Sequence, residues 1–124
     1  VVLVDETAEV LDQAVGVVVA LDDARDLADA GRAQESEAIV RSILARRGPS
    51  AEALELLGMI RMVSNDTAAA RKCFEQAIYL EPGRTASLLQ LAIISERGGN
   101  SDRASTLWNR VRRASAPGER ESYR

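Results

Sequence analysis

The strongest constraint on this chain is a pattern of small and large side chains that returns at a fixed interval. Ala70, Phe74, Ala77 and Pro82 are answered by Ala104, Trp108, Val111 and Ala116, each pair 34 positions apart. Ahead of them, Leu54, Leu57 and Gly58 stand in the same register with Leu88, Leu91 and Ala92. A fixed period of this length marks a supersecondary unit that buries its apolar face only by stacking on its neighbours. The punctuation predicts two helices per unit, over 51–64 and 67–80, then over 85–98 and 101–115. Gly98-Gly99-Asn100 offers a left-handed helix stop, and Ser50 and Ser101 are candidate N-caps. Pro82-Gly83 and Gly48-Pro49 break the chain between units.

Counting back one more period exposes a degenerate first unit. Ala24 falls on Gly58, Gly31 on Asn65, Ser36 on Ala70, Val40 on Phe74 and Ile43 on Ala77. Its helices are predicted at about 17–30 and 33–46. The preceding stretch is also helix-compatible: Asp5 can cap, acids crowd the first turn, and Val10, Leu11, Ala14 and Val15 form a stripe. One long helix from about residue 5 to residue 30 is therefore expected, with Gly16 as a place to bend. The repeat resembles the tetratricopeptide repeat (TPR), and the resemblance implies an all-α solenoid. It would hold about three antiparallel helix pairs, the first degenerate, with an extended N-terminal helix. In this reading residues 1–16 are the extension, 17–116 the repeat domain (17–50, 51–84, 85–116), and 117–124 a polar tail.

Side-chain size assigns roles inside the repeat. Gly58 and Ala92, with Ala70 and Ala104, are expected where the helices of a pair approach closely, since a longer side chain there forces them apart. Phe74 and Trp108 are expected to fill the space between one pair and the next. Ala77 and Val111 continue the buried stripe, and Pro82 ends it. Segments 51–64 and 88–94 are apolar on nearly every side and need several neighbours. Segment 101–115 has a single stripe of Ala104, Leu107, Trp108, Val111 and Ala114, so the stack is expected to end there.

Composition narrows the function. The chain has no histidine and one cysteine, Cys73, which removes an imidazole base, a Cys-rich zinc site and an internal disulfide. No catalytic, cofactor or metal residue is expected within the chain. Cys73 beside Lys72 reads as packing, and Gly98-Gly99 as a helix stop, not a phosphate loop. Asp22, Asp23, Asp26 and Asp29 lack the loop geometry of a cation site. The net charge of −3 and a short cluster of Arg110, Arg112 and Arg113 argue against nucleic acid. Residues 1–30 carry eight acids against Arg25, whereas 84–124 carry eight arginines against four acids; this reads as two solvated ends of different composition. No 18-residue apolar run or signal peptide occurs, so a cytoplasmic setting without membrane insertion is expected. The chain begins with Val, not Met, and is expected to be cut from a longer protein.

What remains is a binding surface. The TPR resemblance places the first helix of each pair along a concave groove. The residues expected to face it are Val18, Leu21, Asp22 and Arg25, then Glu52, Glu55, Met59 and Met62, then Ala86, Leu89, Gln90, Ile93 and Arg97. Such a surface is apolar with acidic edges, suited to an amphipathic helix or extended peptide with apolar anchors and some basic residues. Glu52, Glu55, Met59, Leu89 and Gln90 depart from the Lys/Asn/Arg clamp by which some TPR domains hold a C-terminal carboxylate. A neighbouring element of the parent protein, or another copy, is the alternative occupant.

A narrower resemblance covers residues 51–114. The run Cys73-Phe74-Glu75-Gln76-Ala77-Ile78-Tyr79-Leu80-Glu81-Pro82 and the phrase Ser95-Glu96-Arg97-Gly98-Gly99-Asn100 resemble the C-terminal TPR extension of CheR-type chemoreceptor methyltransferases, including those of Wsp-like surface-sensing pathways. The resemblance implies a parent enzyme in chemotaxis-type signal transduction that transfers methyl from S-adenosylmethionine to receptor glutamates. It implies that this domain binds a signalling protein, a receptor segment or the enzyme's own catalytic domain. An unrelated scaffold or assembly-factor fragment and a homo-oligomerisation module are the alternatives.

Overall fold

A computed structural model describes the backbone of residues 2–115 and the side chains of residues 16–115. It is all-α, with no strand among the described residues. The six helices are α1 (Val2–Asp29), α2 (Ala33–Arg47), α3 (Ala51–Val63), α4 (Thr67–Leu80), α5 (Thr85–Arg97) and α6 (Ser101–Ser115). α3 and α5 begin one sequence period apart, as do α4 and α6, so the period of the side chains is the period of the helices. Two compact units divide the chain, residues 1–49 and residues 50–124. In the first, α1 packs on α2; in the second, α3 packs on α4, α4 on α5, and α5 on α6.

The period is written in the backbone as well. Gly31, Asn65 and Gly99, each one period after the last, all take a left-handed conformation, with φ of 80°, 61° and 79°. Each closes the first helix of its pair in the same way. Its own N–H donates three residues back, to Ala28, Met62 or Glu96, and the next N–H donates five back, to Leu27, Arg61 or Ser95. This pair of hydrogen bonds satisfies carbonyls that the helix end would otherwise leave open. The following residue starts the next helix. Asp66 accepts from the Ala69 N–H, and Asn100 from the Arg103 N–H, both at 3.2 Å. The third cap is thus Asn100, and Ser101, the expected one, is the first helical residue. At the matching position of the first unit stands Arg32, whose side chain makes no cap. Here the degeneracy of that unit has a physical form. Arg32→Asn supplies the missing acceptor and should raise stability by about 1 kcal/mol; a chemical denaturation midpoint unchanged or lowered would refute it.

α1 is helical from Val2 through Gly16 to Asp29, longer at its start than expected, so Asp5 lies inside the helix and not at its cap. Ser50 does cap α3, accepting from the Ala53 N–H at 3.2 Å. In the first unit Leu21, Ala24, Ser36, Val40 and Ile43 are buried. Ser36, replacing the alanine of the other repeats, donates from its hydroxyl to the Ala24 carbonyl at 2.5 Å. The tail at 116–124 lies outside the described residues.

The core of the second unit joins both of its pairs: Ala70 and Phe74 of α4, Leu88, Leu91, Ala92 and Ile94 of α5, and Leu107 of α6. Ala77 and Ala104 are buried as expected. Gly58 behaves differently from the expected close approach of helix backbones. A Cβ there would stand 2.7–2.9 Å from three ring atoms of Phe74, so a side chain, not a neighbouring backbone, requires the glycine. Phe74 therefore fills its own pair as well as the space towards the next. Trp108, its counterpart, is only half-buried, with its indole N–H donating to Glu96 at 2.6 Å. Val111 and Ala114 are likewise half-buried against the core. The outer side of α6 is polar, as a terminal helix needs.

Candidate functional site

The expected groove residues separate into three groups. Leu21 and Glu55 are buried, at 2% and 7% exposure, and cannot line an open surface. Val18, Asp22, Arg25, Glu52 and Arg97 are exposed, Arg25 lying 3.6 Å from Asp22. Met59 and Met62 of α3, and Ala86, Leu89, Gln90 and Ile93 of α5, are half-buried. This last group, within the second unit, is the candidate site.

Helical spacing explains its composition. On α5, Ala86, Leu89, Gln90 and Ile93 follow one another at intervals of three, one and three, along one side of the helix. Leu88, Leu91, Ala92 and Ile94 occupy the other sides and are buried. On α3, Met59 and Met62 are three apart and share a face, their inner parts resting on the core. Because short turns reverse the chain between helices, α3 and α5 run in the same sense. Their faces are joined at one end by the Glu55–Ser87 hydrogen bond, and Met59, Met62, Gln90 and Ile93 follow at the next turns.

That hydrogen bond belongs to the most buried polar group of the unit. The Glu55 carboxylate accepts from Arg84 Nε at 3.1 Å, from Arg84 Nη2 at 3.2 Å and from the Ser87 hydroxyl at 2.7 Å. Burial alone would push the Glu55 carboxyl up. Hydrogen bonds from Arg84 and Ser87, with the charge of Arg84, outweigh it and hold the carboxyl below its ordinary value of 4.5. The bidentate fork suits a planar guanidinium and fixes its orientation.

Arg84 reaches Glu55 because the α4–α5 connection is a tight turn. Its N–H donates to the Glu81 carbonyl at 3.1 Å, with Pro82 and Gly83 between. Pro82 presets the turn geometry. Arg110 of α6 donates to the Pro82 carbonyl at 3.1 Å, and Arg103 of α6 stands 3.6 Å from Glu75 of α4. These contacts tie α6 to α4 and to the α4–α5 turn.

The network corrects the expected electrostatics. Glu55 is buried and paired with Arg84, so of the two expected acids of α3 only Glu52, which is exposed, contributes an open negative charge to the edge of the surface. Ser87 and Arg84 were not among the expected residues. Their only signal was position: Arg84 falls one repeat after the capping Ser50, where a cap was due. Among the described residues no cluster of His, Cys, Asp or Glu could hold a metal ion, and no helix is long and apolar enough to cross a membrane. Cys73 is buried in α4.

No protein-family model matches the chain. It is similar to the "Probable biofilm formation methyltransferase WspC" of Pseudomonas aeruginosa, with 35% identity over 92 residues. That alignment covers 74% of this chain and 22% of the relative. The protein of the same name from Pseudomonas putida is 30% identical over 94 residues, covering 76% of this chain and 22% of the relative. The chain thus spans about a fifth of the length of the curated relatives it matches. The expected likeness to methyltransferases of the Wsp kind is borne out.

Proposed function

We propose that this chain is the protein–protein interaction module, of TPR type, of a biofilm-formation methyltransferase of the WspC kind. In this reading the enzyme it serves transfers methyl from S-adenosylmethionine to receptor glutamates in a chemotaxis-like pathway. The module localises or regulates that activity by holding a partner protein. The observation that carries the reading is the half-buried row of Met59, Met62, Leu89 and Ile93 on α3 and α5. Apolar side chains left partly open beside a rigid, salt-bridged core form a preorganised surface for an amphipathic helix or extended peptide. The two methionines adapt to different apolar anchors. With Glu55 neutralised by Arg84, recognition rests on apolar anchors more than on basic residues of the partner.

Met59→Asp/Leu89→Asp places two charges on that row. In affinity capture from cells producing the full-length enzyme, the variant should lose the partners that the unaltered chain retains, while its helical circular dichroism signal persists. A folded variant that keeps every partner would remove this reading. Ile93→Asp, on the same row, should behave alike and guards against an effect peculiar to one site.

A further inference from the structure

Three helices, α3, α4 and α6, begin in the same way. The side chain of Ser50, Asp66 or Asn100 accepts from the N–H three residues on, that of Ala53, Ala69 or Arg103. At a helix start this N–H has no carbonyl within the helix, and the cap supplies its acceptor. The period places Arg84 where Ser50 stands, and Ser87 where Ala53 stands. The Arg84 backbone is extended, with φ −71° and ψ 98°, close to the −97° and 73° of the capping Asp66. So α5 has the backbone of a capped helix, but the arginine side chain is a donor only and makes no cap.

An acceptor arrives from another helix. Glu55 of α3 is buried, and its Oε2 lies 2.7 Å from the hydroxyl of the fully buried Ser87. Against the burial that raises it, the Glu55 carboxyl is lowered by Arg84, by the Ser87 hydroxyl and also by the Ser87 backbone N–H. The carboxylate therefore stands at the amide that the other caps hold, an anion at the positive end of the α5 dipole. Arg84 turns away from its own helix and grips this carboxylate through Nε and Nη2, while its Nη1 lies 3.3 Å from Glu81 at the end of α4.

We propose that Glu55 is the N-cap of α5, supplied by the preceding helix pair, with Arg84 as the residue that positions it. The start of α5 then depends on α3 being folded beside it, whereas α3, α4 and α6 carry caps of their own. Ala86 lies in that first turn and Leu89 directly follows it, so α5 takes up its place beside α3 through this contact. The coupling is a property of the fold and does not depend on what binds to the α3–α5 row.

Amide hydrogen exchange of the 124-residue chain, read residue by residue by NMR, tests it. In the unaltered chain the Ser87 amide should exchange more slowly than those of Thr85 and Ala86; a Ser87 amide as fast as these two overturns the proposal. Glu55→Ala should speed Ser87 exchange at least about fivefold, the effect of losing one cap. Glu55→Gln keeps the shape with a weaker acceptor, so its Ser87 rate should lie between the two. It decides alone where Glu55→Ala fails to fold: an unchanged Ser87 rate refutes the cap. Glu55→Ala/Arg84→Asn removes the contribution of α3 and gives α5 an acceptor of its own. Protection of Ser87 should return in that double variant, although the contact between α3 and α5 is gone. A Ser87 amide still as fast as in Glu55→Ala would show that Glu55 serves only to pair the arginine, and would overturn the proposal. Circular dichroism of each variant confirms that the helices persist.

Discussion

Phe74→Ala should destabilise the second unit by about 3–5 kcal/mol, the largest effect expected of any single truncation among the described residues. Phe74 is fully buried and belongs to the core cluster that spans α4, α5 and α6. Its ring also occupies the space against Gly58 that a Cβ would need. Removing it opens a cavity that both helix pairs border, and the surrounding helices, fixed at their ends by Schellman turns and caps, can collapse only in part. Gly58→Ala should strain the same contact from the other side, at about 1–3 kcal/mol, since the ring must move in a filled core. The two substitutions should not add. Once the ring is gone, the alanine at position 58 has room, so the double variant should be little worse than Phe74→Ala alone. Urea denaturation of the four proteins measures this; strict additivity would show that the Gly58–Phe74 contact does not limit that site.

Arg84→Ala should cost about 3 kcal/mol at neutral pH, because it leaves the Glu55 carboxylate buried without its counter-charge. The sign with pH follows from the direction of the shift. Glu55 titrates below 4.5 in the folded state, so its contribution is fully present above that value and is lost as the pH falls through the depressed one. The stability difference between the unaltered chain and Arg84→Ala should therefore be largest near neutrality. It should shrink below pH 4.5, as protonation of Glu55 removes the need for its partner. Glu55→Gln should show a smaller difference of the same form. Denaturation midpoints from pH 7 to pH 3 test this, and a difference constant over that range would mean that the pair does not govern the α3–α5 contact. Ser87→Ala, removing one donor of three, should fall between the unaltered chain and Arg84→Ala.

The helices and their order were legible because each boundary has a local chemical cause. The residue at position 31, 65 or 99 must tolerate a left-handed backbone, and glycine or asparagine stands at each. The small residue at 36, 70 or 104 and the apolar one at 40, 74 or 108 repeat with them, so even the first pair, without a side-chain cap at Arg32, could be aligned. Positions in contact across the sequence were not legible. The register gave Gly58 a helix-packing role, but only three-dimensional placement shows that the Phe74 ring is what it accommodates. Glu55 failed for the same reason. As a charged residue on the first helix of a pair it reads as a groove-facing acid, and nothing within its own helix pair reveals the arginine that waits at the far end of the next turn. Leu21 shows the complementary error: its place on the predicted open face says nothing of what covers it. Met59, Met62, Leu89 and Ile93 stay partly open as the sequence led one to expect, because helical spacing survives the details of packing.

Met59, Met62, Leu89 and Ile93 are proposed to form the contact face for a partner. Hydrogen exchange measured by mass spectrometry on the chain, alone and with the partner it captures, tests this most directly. Binding should slow exchange in α3 and α5, around Met59–Met62 and Leu89–Ile93, and leave the outer side of α6 unchanged. Protection confined to α4 or α6, with α3 and α5 exchanging as in the free chain, would contradict it.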